Sequence, residues 1–182
     1  LKEEPTGDAW LDACYNEHVQ LVGHTQPYYR LFYRIAEKLK PQLTVELGSW
    51  RADAAIHFAK GNSEGQVITI DWHREDFEAK RICQEREQQV KNLKFIPQCS
   101  WDESTVAEVR RHAPISCLYI DAWHDYKYVS RERELYFPML SNPALVICDD
   151  ITTAYNFEGM VKFWEELQGD KFIDDRIHPG VP

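Results

Sequence analysis

Two apolar runs in this chain end in acid: "CLYIDAWHDY" (117–126) and "ALVICDDI" (144–151). In the first, Asp121 follows the run directly and His124 stands three residues on. In the second, Asp149 and Asp150 follow Cys148. Close carboxylates repel one another, and burial sharpens the repulsion. A hard divalent cation relieves it, because Mg2+, Ca2+ and Mn2+ prefer oxygen ligands. Asp121, Asp149 and Asp150 therefore read as a cation site. The plainer alternative is that Asp150 caps the segment "DITTAY" and Asp121 only ends a strand. An imidazole titrates near neutrality, so His124 is a candidate general base for an alcohol. A cation eases that proton loss by lowering the pKa of a hydroxyl beside it. The remaining histidines, among them His24, His57 and His73, have weaker cases.

The other run ends carry different chemistry. "TVELGSWRADAA" (44–55) holds Glu46 inside the run and Gly48 in the turn after it. Glycine permits a tight turn and close approach of backbone to a ligand. A dinucleotide fingerprint needs further glycines, but Arg51, Ala52 and Asp53 stand where they would fall. That disfavours NAD. It favours a nucleoside with a cationic amino-acid tail, against Gly48 as a plain turn residue. Asp71 closes "VITID" and can accept both hydroxyls of a ribose. Trp72 beside it can stack on a flat base, although Asp71 is also a plausible helix cap. In "IPQCSWDE", Ser100 and Asp102 either cap the next helix or bond the edge of an adenine.

These residues need elements to position them. "QLTVEL" (42–47), "QVITI" (66–70), "LKFIP" (93–97), "ISCLYI" (115–120) and "ALVIC" (144–148) are short and nearly all apolar. Such runs fit parallel strands covered on both faces. Helical patterns fill the gaps, at 51–60, 74–91, 102–112 and 126–137, and another spans 155–168. "KFIDDRIH" (171–178) reads as a last strand. Alternating strand and helix predicts a doubly wound α/β sheet with helices on both faces. Upstream of residue 43 the pattern is helical. Asp8 is placed to cap a first helix. A second starts at Pro27 and sets Tyr28, Leu31, Phe32, Ile35 and Leu39 on one face. An N-terminal helical cap over residues 1–42 is expected on the sheet domain, 43–182.

Composition bounds the function. The 182 residues carry a formal net charge of −9, which argues against binding a nucleic-acid backbone. The five cysteines are odd in number and show no CxxC spacing, so a reducing, cytoplasmic setting without a disulfide framework or zinc site is expected. No apolar run is long enough for a membrane span. The chain begins at Leu1 rather than Met, as a piece of a longer protein would.

The stretches "TVELGSWRADAA", "VITIDWH", "CLYIDAWHDYKYVSRERELYFPML" and "ALVICDDI" resemble the class I S-adenosylmethionine-dependent methyltransferases. Within these they are closest to macrocin-type sugar O-methyltransferases and cephalosporin hydroxylase-like proteins. The resemblance implies a Rossmann-like, mostly parallel sheet of seven strands, the seventh antiparallel. It implies cofactor contacts at Glu46, Gly48 and Ser49, with Asp71 on the ribose, and Asp121 counted on both the cofactor and the metal side. It implies Mg2+ at Asp121, Asp149 and Asp150, with His124 as base, and a small hydroxylated acceptor of sugar, phenol or polyketide type. The turn holds fewer glycines than the family loop usually does. The chain ends too soon for a full seventh strand, so truncation or a smaller sheet is expected. Two other readings use the same residues: a metal-dependent hydrolase that needs no adenosyl cofactor, and a catalytically inactive cofactor-binding module.

Overall fold

The computed structural model describes residues 4–22, 28–151 and 158–173. Two helices come first, α1 (Ala9–Val22) and α2 (Tyr29–Leu39). Strand and helix then alternate: β1 (Leu43–Leu47), α3 (Asp53–Gly61), β2 (Gln66–Ile70), α4 (Phe77–Gln89), β3 (Leu93–Ile96), α5 (Glu103–His112), β4 (Ile115–Ile120), α6 (Tyr126–Tyr136), β5 (Leu140–Cys148) and α7 (Glu158–Glu166). Asp8 caps α1 as expected, its Oδ1 accepting from the amides of Trp10 and Leu11 at 3.0 and 3.1 Å. Helix α5 has Glu103 in its first turn and Arg110, Arg111 and His112 in its last, the arrangement the helix dipole favours.

The strands lie in the order β3-β2-β1-β4-β5, and every neighbouring pair is parallel. Among the described residues the sheet is thus wholly parallel, with five strands and no antiparallel member. Residues 171–173 of the expected last strand are not extended into the sheet, and 174–178 lie outside the described residues. Strand β5 starts four residues earlier than the apolar run. Pro143 has no N–H for the ladder, and the pairing with β4 shifts register between Ile115 and Cys117.

Each face of the sheet is covered. On one, Val45, Leu47, Ile68, Ile70, Leu118 and Ile120 pack with Val109 of α5, Val129 of α6 and Phe163 of α7. On the other, Val67, Cys117 and Tyr119 pack with Leu11, Phe32, Phe58 and Cys83 from α1 to α4. All five residues of β1 are buried, which is why the strand reads as continuous apolarity with one acid. The apolar stripe expected along α2 packs onto the core at Tyr28, Phe32 and Ile35 but not at its far end. Leu39 is 58% exposed, and the buried face runs through Arg30, Phe32 and Ala36. Helix α1 is the reason: Arg30 pairs with Asp12 at 3.2 Å and lies over the Tyr15 ring, so a charged side chain is buried with its partners.

The chain steps from β1 outward to β3, then returns past β1 to β4 and β5. The exits of β1 and β4 therefore flank the point where the winding reverses, which in open α/β sheets is where ligands bind.

Candidate functional site at the strand exits

Backbone bonds carry the ladder one residue beyond β1, β2, β4 and β5. The Gly48 amide donates to the Ile70 carbonyl, Asp71 to Ile96, Asp121 to Leu47 and Asp149 to Ile120, at 2.8 to 3.2 Å. Gly48, Asp71, Asp121 and Asp149 thus form one row along the carboxyl edge. Gly48 has φ of 94°, and a Cβ there would sit 2.5 Å from the Asp121 carbonyl carbon and 2.8 Å from Ala122 Cα. The glycine is needed because β4's exit passes directly over it.

The acidic tips meet as follows. His124 Nε2 lies 3.5 Å from both Asp121 Oδ1 and Asp150 Oδ2. One ligand atom from each of these three residues falls within 4.8 Å of the others. Helix α7 backs this loop: a Cβ on Gly159 would come within 3.0 Å of the Asp125 carbonyl carbon and nearer still to the His124 carbonyl. Asp150 adopts a left-handed φ of 52°, and its amide donates to Asp149 Oδ1 at 2.9 Å.

Asp149 is neighbour to this group but its side chain is engaged elsewhere. Its Oδ2 accepts from the Tyr28 hydroxyl, with the Tyr119 hydroxyl 3.2 Å away. Tyr119 also lies 2.8 Å from Asp121 Oδ2. The carboxylates that converge with His124 are therefore Asp121 and Asp150.

Burial, then the charge of Asp149, pushes the Asp121 carboxyl up to about 7 and Asp150 up to about 6. Burial opposes charge on His124, but the bond to Asp121 and the charges of Asp150, Asp121 and Asp149 outweigh it and raise its pKa. The His124 charge draws both carboxyls down, but not enough to offset their burial and the charge of Asp149. Two carboxylate oxygens and one ring nitrogen within ligand range fit a divalent cation. The residues present thus suit such an ion, with Asp149 reaching it only if its tyrosines let go.

The exits of β1 to β3 are more enclosed than their sequence implied. Glu46 is 1% exposed and accepts from Thr69 Oγ1, which also meets Ser49 Oγ at 2.5 Å. Burial raises the Glu46 carboxyl well above the usual range. Asp71 is partly exposed, its two oxygens accepting from the amides of Trp50 (2.8 Å) and His73 (2.9 Å). Trp72 is 55% exposed, with the Arg74 guanidinium 4.9 Å from its ring centre. Ser100 is buried, donates to Glu132 Oε1 at 2.6 Å, and accepts at its carbonyl from Tyr136 at 2.7 Å. Asp102 precedes α5 without a side-chain capping bond.

Tryptophans rim this edge, one after each of the first four strands: Trp50, Trp72, Trp101 and Trp123. Trp101 stacks on Tyr128 of α6 with centroids 4.6 Å apart, and Trp123 meets the same ring edge-on.

Several contributors escaped the sequence reading. Tyr119 sits in an apolar stretch and looks like core. Glu132 is one charge among many in "SRERELYF", yet it is 1% exposed, and burial pushes its carboxyl up to about 7. Asp53, standing in the turn where a fingerprint glycine would fall, is 3% exposed and is held by Arg86 and His18, each 2.8 Å away.

Known proteins share this fold. A family model described as a methyltransferase domain matches residues 45–151, which takes in every strand exit named above. No curated protein matches the chain in sequence. Among solved structures, an O-methyltransferase from Bacillus cereus in complex with SAH superposes with a TM-score of 0.69 at 14% identity, over 90% of this chain and 80% of that one. The O-methyltransferase TomG from Streptomyces achromogenes, involved in tomaymycin synthesis and in complex with SAM, gives 0.63 at 15% identity, over 88% and 78%. A methyltransferase from Geobacter sulfurreducens gives 0.61 at 19% identity, over 91% and 80%. At these identities the superpositions establish the shared fold. The family match covers more than half of the chain and all of its strand exits, and the chain belongs to the methyltransferase domain family.

Proposed function

We propose that this chain transfers a methyl group from S-adenosyl-L-methionine to a hydroxyl of a small molecule, assisted by a divalent cation such as Mg2+. The observation that carries this reading is His124 Nε2 at 3.5 Å from both Asp121 and Asp150, at the winding reversal of a methyltransferase-family sheet. That donor supplies an electrophilic methyl carbon and a neutral thioether leaving group.

His124 takes the acceptor hydroxyl's proton, and the two carboxylates beside it stabilise the imidazolium that results. Asp121 and Asp150 would hold the cation, with Asp149 as a third ligand from the next position. The ion would supply positive charge to the carboxylates and the developing alkoxide. Asp71 would accept from ribose hydroxyls, and the exposed Trp72 ring would cover the base. Glu46, Gly48 and Ser49 would form the floor under the donor, with Ser100 and Asp102 near the base edge. The acceptor would be a sugar, phenol or polyketide hydroxyl, since the exits of β4 and β5 present acid rather than the clustered base that phosphates need. Among the described residues no helix is long and apolar enough to cross a membrane.

Calorimetric titration with S-adenosylhomocysteine, with and without Mg2+, separates this reading from a hydrolase that binds metal alone. A methyl-transfer assay over hydroxylated acceptors separates it from an inactive binder. His124→Ala should lower turnover by about 10²- to 10⁴-fold while retaining affinity for S-adenosylhomocysteine. Wild-type turnover in that variant refutes the base assignment. Loss of Mn2+ binding, read by electron paramagnetic resonance, would make His124 a ligand instead.

A further inference from the structure

The turn after β1 places three residues in the left-handed region: Gly48 at φ 94°, Trp50 at 40° and Ala52 at 58°. Glycine enters that region freely, whereas Trp and Ala are strained there and persist only if their surroundings over-determine them. The surroundings are specific. The Trp50 amide donates to Asp71. The Trp50 carbonyl accepts from His73 Nε2 and, at 3.1 Å, from Cys83 Sγ. The Arg51 carbonyl accepts from Arg86 Nη1. The other arm of that guanidinium, Nη2, lies 2.8 Å from Asp53 Oδ1, at the start of α3. Asp53's second oxygen lies 2.8 Å from His18 Nδ1 on α1. Arg86, Asp53 and His18 are all at least nine-tenths buried.

One planar group from α4 therefore grips the chain on either side of Ala52, Arg51 by its carbonyl and Asp53 by its carboxylate. A fork with several donors can do this; a single ammonium cannot hold both at once in the same geometry. We infer that Arg86 is a positioning residue for the cofactor turn, supplying through a buried side chain the conformational control that additional glycines would otherwise provide. This rests on the turn being the donor-binding turn.

Two measurements test it. Arg86→Lys keeps the charge beside Asp53 and so spares the buried acid, but loses the double grip. Hydrogen exchange of amides 48–53 without any ligand should quicken in Arg86→Lys, and Ala52→Gly added to it should restore protection. Calorimetry should show S-adenosylhomocysteine binding weakened about tenfold in Arg86→Lys, the scale of one residue's left-handed penalty. Adding Ala52→Gly should regain most of that loss, with a larger gain in the Arg86→Lys background than in the parent protein. Unchanged exchange in Arg86→Lys overturns the inference, and so does a purely additive Ala52→Gly effect. If the parent protein fails to bind S-adenosylhomocysteine, the methyltransfer reading fails, and the exchange data still decide whether Arg86 holds the turn.

Discussion

Replacing Gly48 by Ala tests the geometry on which the site depends. The new methyl group would stand 2.5 Å from the Asp121 carbonyl carbon and 2.8 Å from Ala122 Cα, where ordinary contact begins at 3.4 Å. The atoms it meets are backbone, so no side chain can swing aside. Positive φ on a residue with a Cβ costs about 1–3 kcal/mol, and forcing an extra methyl into packed structure adds about 1–3 kcal/mol. Gly48→Ala should therefore lose about 2–6 kcal/mol of stability, read from urea midpoints at constant slope. The relief open to the chain is to push the β4 exit away by roughly 1 Å, a displacement that can cost about 100-fold in rate when it moves a reacting group. Asp121 leaves with that exit, so methyl transfer and Mn2+ affinity should fall together. A stability loss under about 1 kcal/mol would mean that β4 does not cross Gly48 as described, and the placement of Asp121 would fall with it.

Two further perturbations follow from buried polar groups. Burial pushes Glu132 up to about 7 from an ordinary 4.5, so the folded state holds this proton more tightly than the unfolded chain does. Its contribution is therefore full below pH 4.5 and lost as pH rises through about 7. Glu132→Gln cannot titrate and should gain about 3 kcal/mol relative to the parent between pH 4.5 and pH 8; parallel urea midpoints at the two pH values would refute this. Tyr28→Phe removes the hydroxyl that donates to Asp149 and should cost about 1–3 kcal/mol, with unchanged thermal unfolding as the contrary result.

Much of the fold was legible because its signals are local. All five apolar runs became strands, and the helices between them formed where their periodicity and end signals placed them. Parallel strands buried on both faces must be apolar throughout, so they announce themselves without reference to the rest of the chain. The longer β5 was less visible because its first half is held by pairing with β4 across an irregular register, not by composition. The burial of Arg30 on α2 was hidden for a related reason. Arg30 reads as a surface residue until Asp12 and Tyr15 of α1 are brought against it.

What the sequence alone determined is which residues stand at the strand exits, since an exit is the end of a chain-local apolar run. That was enough to nominate Gly48, Asp71, Asp121, His124, Asp149 and Asp150, and to see a methyltransferase in them. Only the tertiary structure decided which way each side chain faces: Asp149 toward Tyr28 and Tyr119, Ser100 toward Glu132, and Asp53 toward Arg86 and His18. Those partners lie 30 to 121 residues away in sequence, and a buried polar atom takes whatever donor or acceptor the packing brings within reach, because leaving it unpaired costs more than any local preference.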